Sequence, residues 1–313
     1  MASVGLRLLI AGGVLALLFH RIPAGEVWAV LRSARPELVS LGIGITVLNE
    51  LLIAHRLRLL TAAHHLEAST RGILSINLAT RFYALGLPGG NALGMALRIH
   101  RIVRGSGRYA DVVVCVLLDR LATTGAMTLF GLVFALLDHH PVPIMIPAVL
   151  SGATLVLATG YIVVLWRPGW SFIAPIWRRL ERRLPSRITA LRQSTRRVEH
   201  PLALTLAAWS LSMVVHVLGV TTFWIVARAI GVEVSALALA WIRSTALLAA
   251  TLPVTIAGLG VREGILVALL VGLGVPDSPA LAFSLLLFAT TTLAMGIVGA
   301  VVELVQSRSG RFA

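Results

Sequence analysis

The sequence predicts an all-α, polytopic membrane protein, on the evidence of its composition and of two long apolar segments that break at proline and glycine. Hydrophobic residues make up 58% of the 313 positions, charged residues only 13%, and mean hydropathy is +0.91. A soluble domain is closer to a quarter charged, so the chain belongs in a bilayer. We predict a single integral-membrane domain over residues 1–313.

Six apolar runs are long enough, or nearly so, to span a bilayer. They cover residues 4–20, 38–60, 110–137, 142–166, 202–227 and 279–305. The first run has the length of a signal peptide, but Arg21-Ile22-Pro23 follows it directly and gives no clear small-residue cleavage site. We therefore interpret it as a retained first helix.

Two further apolar segments, about 73–104 and 237–274, are interrupted by helix-breaking residues. Proline removes a backbone donor and glycine loosens a helix, so we expect hinges at Pro88, Gly94 and Pro253. Each arm of roughly fifteen residues reaches only ~22 Å, short of a bilayer core of ~30 Å. Each segment is therefore predicted to be a re-entrant hairpin that enters and leaves on one side. A plain helix bundle with ordinary proline kinks is the alternative.

The distribution of arginine predicts the topology. All 27 basic residues are arginine, and nine of them lie between 167 and 197, so segment 167–200 should face the cytoplasm. Apolar residues recur there at spacings of three and four, which is typical of an amphipathic helix on an anionic leaflet. A plain positive-inside determinant is the alternative. Both termini are expected on this side, and residues 138–141 and 275–279 on the other.

With this topology the two hairpins open on opposite sides of the membrane. A first repeat, about 38–137, is then mirrored by a second repeat of opposite orientation, about 202–305. Inverted repeats with broken helices are typical of secondary transporters, whose substrate site lies near the midplane. The pattern therefore favours translocation over catalysis.

Ionisable residues inside apolar segments cost roughly 2.5–3.5 kcal/mol each on insertion scales, so each needs a partner or a function. We predict a substrate site from such residues and from the glycines that open the last arm. The predicted set is Arg98, Asp119, Arg120, Arg243, Gly258, Gly260, Arg262 and Glu263. Free N–H groups at a helix start attract anions, and a neighbouring arginine favours a phosphate or another anionic headgroup.

Some of these charged residues have alternative interpretations. Arg81 and Arg243 could snorkel to an interface, and His216 could simply be packed in the core. Glu263 and Asp119 could carry a coupling proton, because a carboxylate shielded from water has a raised pKa.

The sequence contains no enzyme motif: a GxSxG elbow, a HExxH pair and a P-loop are all missing. We therefore predict no catalytic residue, no cofactor and no metal, and Cys115, the only cysteine, excludes a disulfide. His64-His65 and His139-His140 are interpreted as solvated loop residues. The net charge of +14 fits anionic lipid headgroups better than nucleic acid.

Two stretches, Leu87 through Arg120 and Leu252 through Glu263, resemble the transmembrane region of the lysylphosphatidylglycerol synthase/flippase family, which includes YbhN-type membrane proteins. Pro253 to Glu263 is similar to the family's proline-to-GlyLeuGly-x-Arg-Glu stretch, and Asp119-Arg120-Leu121 to its acidic-Arg-Leu motif. After the first break the family has an acid behind the glycine, whereas Met95 follows Gly94 here. Asp119 is the nearest candidate to replace that acid.

The resemblance implies a lipid flippase of a bacterial inner membrane that moves an anionic phospholipid or a polyprenyl-type lipid headgroup. The family's soluble aminoacyl-transfer domain is absent from the sequence, so we expect translocation and not aminoacylation. A lipid-binding membrane subunit that supports a partner glycosyl- or aminoacyl-transferase is the alternative, and a lipid-modifying enzyme is a third hypothesis. The expected partners are membrane lipids and, for the alternative, that transferase.

Overall fold

The computed structural model describes residues 19–86, 90–165, 190, 191, 193–195, 201–251 and 260–308, together with residues 13 and 16. Within these residues all regular secondary structure is helical. The predicted span 4–20 and the basic segment 167–200 lie largely outside the described residues, and the predicted hinges Pro88 and Pro253 and the site residue Gly258 lie outside them altogether.

The helices follow one another along the chain with short connections. They are α1 (Ala24–Arg32), α2 (Pro36–Ala62), α3 (Thr70–Gly86), α4 (Gly90–Ser106), α5 (Tyr109–Leu137), α6 (Met145–Leu165), α7 (Pro201–Ala229), α8 (Ala236–Ala250), α9 (Val261–Gly272), α10 (Asp277–Leu287) and α11 (Ala294–Arg308). A π-helical turn, Phe288–Leu293, joins α10 and α11 into one continuous helix.

Four helices in the described part of the chain are long and apolar enough to cross a bilayer: α2, α5, α7 and the continuous helix Asp277–Arg308. Each coincides with a predicted span. The predicted span 142–166 corresponds to α6, whose apolar part, Met145–Tyr161, is shorter. The all-α, polytopic membrane fold is thereby confirmed.

The broken segments form two pairs of packed helices, α3 with α4 and α8 with α9. The start of α3 and the end of α4 share a hollow that Ser69, Gly72, Gly105 and Ser106 line. The residues before α8 and after α9 share a second hollow, lined by 230–233 and 273–276. In each pair, therefore, the two ends remote from the break lie together, as in a hairpin.

The two hairpins open toward opposite ends of α2. Just before α2, the N–H of Arg35 donates to the carbonyl of Ala229 at 2.9 Å, next to the residues that line the second hollow. After α2 the chain reaches Leu66, which lines the first hollow. This is the relative orientation that an inverted repeat requires.

The first loop lies at the same end as the second hollow. Helix α1 packs on α10, and Ser278 Oγ donates to Glu26 Oε2 at 2.6 Å. The prediction that the first loop and residues 275–279 share one side of the membrane agrees with this contact. Which end faces the cytoplasm stays a prediction.

Each hairpin packs on the last helix of the opposite half. Helix α8 packs on α5 and α3 packs on α11, while α2 and α7 form the most extensive helix contact of the described chain. Glycines allow both hairpin contacts, since a Cβ on Gly131 would meet Ser244 and a Cβ on Gly299 would meet the carbonyl of Leu78. Small residues that let backbones approach are the usual device at membrane helix contacts.

The last helices of the two halves also share a sequence. Residues 121–131 read LATTGAMTLFG and residues 288–299 read FATTTLAMGIVG. They align at A-T-T, A-M and G when a gap in the first stretch allows for one extra residue in the second. Gly131 and Gly299 then occupy the same place. The extra residue falls within the π-helical turn, where each turn holds one residue more than an α-helical turn. This correspondence supports the two-repeat organisation.

Candidate functional site

A buried ion pair joins α2 to α5 at the centre of the candidate site. Arg56 Nε donates to Asp119 Oδ1 at 2.8 Å, and Arg56 Nη1 donates to Ser212 Oγ on α7 at 2.9 Å. The arginine side chain is only 1% exposed. Charge-assisted hydrogen bonds of this kind are what makes a buried arginine tolerable.

The hairpin arginine Arg98, on α4, meets the same carboxylate from the other side. Its Nη1 lies 3.7 Å from Asp119 Oδ2, so each oxygen of Asp119 faces a different arginine. Asp119 thus stands beside the hairpin in which Met95 follows Gly94. The Nε of Arg98 is buried without a hydrogen-bond partner, which leaves one donor available to a guest.

Three more charged residues complete a group that we call the arginine cluster. Arg81 Nη2 lies 2.7 Å from Glu50 Oε1, and the arginine side chain is 45% exposed. Arg120 is partly buried and, among the described residues, makes no hydrogen bond or ion pair. The cluster consists of Arg56, Arg81, Arg98, Arg120, Glu50 and Asp119, which lie close enough to act on one another electrostatically.

Arg243 lies beside the cluster, on α8, and is hydrogen-bonded to histidine. His216 Nε2 lies 3.0 Å from the carbonyl of Thr123, which only accepts, so Nε2 carries the hydrogen. His216 Nδ1 then accepts from Arg243 Nη1 at 3.1 Å, and the imidazole is neutral. With 8% of the residue exposed, Arg243 is buried and does not snorkel to an interface. Through His216, Arg243 of α8 is linked to α7 and to the carbonyl of Thr123, one turn after Asp119 on α5.

The start of α9 holds a separate arginine–glutamate pair. Glu263 Oε1 accepts from Arg262 Nη2 at 2.6 Å and from Nε at 3.0 Å, while Oε2 accepts from the Gly260 N–H at 2.7 Å. Gly260 has φ of 86°, a conformation that suits glycine. The backbone position at which we expected an external anion is therefore occupied by the protein's own carboxylate, which caps the helix.

The predicted site residues fall into three places. Arg98, Asp119 and Arg120 come together in the arginine cluster, and Arg243 borders it. Arg262 and Glu263 pair with each other, and Arg262 Nη1 lies 3.4 Å from Thr292 Oγ1 in the π-helical turn. Within the described chain no ion pair joins them to the cluster. Gly94, expected as a hinge, lies buried within α4 against Thr80 of α3.

The family model for the lysylphosphatidylglycerol synthase TM region matches residues 4–299. The chain belongs to this family. Comparison with curated proteins gives no match. As a member of the lysylphosphatidylglycerol synthase TM-region family, the protein is a membrane protein with a lipid-related function.

The predicted site leaves out three residues of the cluster, Arg56, Arg81 and Glu50. Arg81 was considered only as a residue that could snorkel to an interface, and Arg56 and Glu50 lie within the predicted span 38–60. A signal was present, since both lie inside an apolar run and six residues apart. Their partners, however, come from α3 and α5 and are not visible in the local sequence.

Two histidine predictions have different outcomes. His64 is buried, with Nδ1 3.0 Å from the carbonyl of Leu60 and 3.2 Å from Cys115 Sγ, so its interpretation as a solvated residue is wrong. His139 and His140 are exposed, as expected. No group of three or more His, Cys, Asp or Glu side chains placed to hold a metal occurs among the described residues.

Polar contacts also hold the hairpins near the two ends of the molecule. Glu303 on α11 accepts from Arg101 Nη1 and Nη2 at 2.9 and 2.7 Å and from the Tyr83 hydroxyl at 2.9 Å. At the other end, Asp138 accepts from Trp241 Nε1 at 2.8 Å. Burial alone would raise the pKa of Asp138, but the hydrogen bonds from Trp241 and His140 outweigh it and hold this pKa below its usual value.

Proposed function

We propose that this protein is a lipid translocase that moves an anionic headgroup, of a phospholipid or of a polyprenyl-type lipid, past the arginine cluster. One observation carries the proposal. Arg120 is a partly buried arginine inside a span, and it has no partner among the described residues. Arg98 beside it also has an N–H donor, Nε, without a hydrogen-bond partner. An arginine in a span without a partner marks a substrate path, and guanidinium groups bind phosphate oxygens through paired hydrogen bonds.

The position of the cluster suits movement of a headgroup. Arg98 belongs to the hairpin α3–α4, whereas Asp119 and Arg120 belong to the long helix α5. The exposed side chain of Arg81 gives the cluster a route to the surface. The hairpins open at opposite ends of the molecule, so rocking of one half against the other would expose the cluster first to one side and then to the other.

We also propose which membrane holds the protein and how the chain is oriented in it. The protein lies in a bacterial inner membrane with both termini in the cytoplasm, and the two hairpins are re-entrant. The protein translocates its lipid without chemically modifying it, because no set of residues in the cluster supplies a nucleophile beside a base.

A proteoliposome assay with headgroup-labelled lipids tests the proposal. We expect the purified chain alone to move an anionic lipid between leaflets, and Arg120→Gln to reduce the rate by about tenfold or more, since one charge-assisted phosphate contact is lost. Arg104→Gln is the matched control because Arg104 is an exposed arginine on α4. Both variants should elute as folded protein from a sizing column.

Two outcomes would contradict the proposal. If Arg120→Gln moves lipid at the wild-type rate, the path does not pass the cluster. If the chain moves lipid only after a transferase is added, the lipid-binding subunit is the better description.

A further inference from the structure

The arginine cluster carries a surplus of positive charge. Its four arginines and two carboxylates leave a net charge of plus two. Asp119 is shared by Arg56 and Arg98, and Glu50 is bound to Arg81, so both carboxylates are engaged. No described ion pair offsets Arg120. A bilayer disfavours uncompensated charge, so the surplus indicates a guest that carries negative charge.

The groups that face the cluster from neighbouring helices do not cancel this surplus. From α7, Ser212 supplies a hydroxyl and His216 is neutral, as its two hydrogen bonds show. From α8, Arg243 donates to that neutral imidazole and brings no negative charge to the cluster. From α6, the Tyr161 hydroxyl lies near Arg56 and Asp119. The surrounding shell therefore keeps the site positive.

We propose that the guest of the cluster is a phosphate group with two negative charges, as in a phosphomonoester or diphosphate lipid headgroup, in preference to a phosphodiester. The identification of the guest as a lipid rests on the proposed function. A phosphomonoester carries about −1.5 to −2 charges at pH 7 and has three terminal oxygens. A phosphodiester carries one charge and has two terminal oxygens, so it neutralises only half of the surplus.

The count of donors agrees with the count of charges. Arg120 offers a fork of paired N–H donors that binds two phosphate oxygens at once, and Arg98 offers its unpaired Nε to a further oxygen. Three terminal oxygens match that supply better than two oxygens do. A headgroup that also carries an amine is disfavoured, because both carboxylates that would receive it already bind arginine.

Binding of short-chain lipids to the purified full chain in detergent tests the proposal. The probes are phosphatidic acid, a phosphomonoester, and phosphatidylglycerol, a phosphodiester, with phosphatidylethanolamine as the amine-bearing probe and inorganic phosphate as the free ion. We expect phosphatidic acid to bind about tenfold more tightly than phosphatidylglycerol near pH 7.5, from the extra charge-assisted contacts. Phosphatidylethanolamine should bind most weakly.

The pH dependence of this preference provides a second readout. The second pKa of a phosphomonoester is about 6, so the advantage of phosphatidic acid should fall toward onefold as the pH drops from about 7.5 to about 5.5. Phosphatidylglycerol, which has no ionisation in this range, should bind equally at both. Arg120→Gln should reduce the preference, Arg120→Lys should keep part of it, and Arg104→Gln should leave it unchanged.

The outcomes separate this inference from the proposed function. Equal binding of phosphatidic acid and phosphatidylglycerol, or tighter binding of the latter, overturns the inference, even if the protein moves lipids. Inorganic phosphate that binds as tightly as phosphatidic acid overturns it too, since the guest would then be the free ion. A phosphatidic acid preference without lipid movement in proteoliposomes upholds the inference and overturns the translocase.

Discussion

At the scale of single residues, Arg56 is tolerated inside α2 because Asp119 and Ser212 accept its hydrogen bonds. Two charges taken out of water lose their hydration, and their attraction offsets this only while both are present. Removing one partner leaves the other buried and unpaired. The pair therefore holds α2 and α5 together and at the same time fixes the carboxylate that faces Arg98.

Asp119→Asn should lower the free energy of unfolding by about 3–5 kcal/mol, because it leaves Arg56 buried without a counter-charge. Denaturant titration of the purified protein in detergent measures the change. Combining Asp119→Asn with Arg56→Met should recover part of the loss, since no orphan charge remains. Arg58→Gln, at an exposed arginine on the same helix, is the control. An Asp119→Asn variant as stable as the wild type would show that the pair is not structural.

Charge in an apolar run identified Asp119, Arg98 and Arg120 from the sequence alone, because that signal is local. Their partners could not be identified, since Arg56 and Asp119 are 63 residues apart and meet only through helix packing. The same limit explains why the sequence did not predict that Glu263 caps its own helix. Its position beside Arg262 was visible, but its hydrogen bond to the Gly260 N–H depends on the backbone conformation at Gly260.

Gly219→Ala should destabilise the protein by about 1–3 kcal/mol, because the added Cβ would displace a side chain from a filled site. The guanidinium of Arg243 lies directly against Gly219, so the methyl group would push it away from His216. Gly44→Ala, in a helix position with open space around it, should instead raise stability by about 0.5–1 kcal/mol, because alanine is the better helix former. Thermal unfolding of the two variants compares them. Equal stability would mean that α7 shifts to accept the methyl group.

At the scale of elements, the sequence predicted the bounds of the broken segments but not the π-helical turn, and the re-entrant course of the hairpins stays a prediction. The predicted segments 73–104 and 237–274 correspond to α3–α4 and α8–α9, with ends within three residues. Apolar length and proline placement determine such boundaries. The π-helical turn contains ordinary helix residues, and its extra residue becomes evident only beside the corresponding stretch of α5.

Deleting Thr291 should leave a folded protein, because the π-helical turn would become an α-helical turn and α11 would keep its register. Deleting Ala300 should be far more damaging. Without a bulge to absorb the change, the residues after it rotate by about 100°, and Glu303 no longer reaches Arg101. Thermal unfolding of the two single-residue deletions provides the comparison. Similar losses of stability would show that the turn does not hold an inserted residue.

At the scale of the whole molecule, the two halves are held together by each hairpin packing on the last helix of the other half. Glycine at the same place in the two last helices allows both contacts. Polar contacts add to them near opposite ends, at Glu303 and at Asp138. On the proposed mechanism, opening the cluster to one side would require loosening one end while the other end stays closed.

Cysteine labelling tests this two-ended organisation in the intact membrane. Glu67 lines the first hollow and Glu233 the second, and both side chains are exposed. In a Cys115→Ser background, Glu67→Cys should react with an impermeant reagent from one side only and Glu233→Cys from the other. The distribution of arginine predicts that Glu67 is the position that faces the cytoplasm. His139→Cys, next to the residue that binds Trp241, should react from the same side as Glu233→Cys.

If Glu67→Cys and Glu233→Cys label from the same side, the two hairpins do not open on opposite sides of the membrane. Alternating exposure of the cluster would then lose its structural basis.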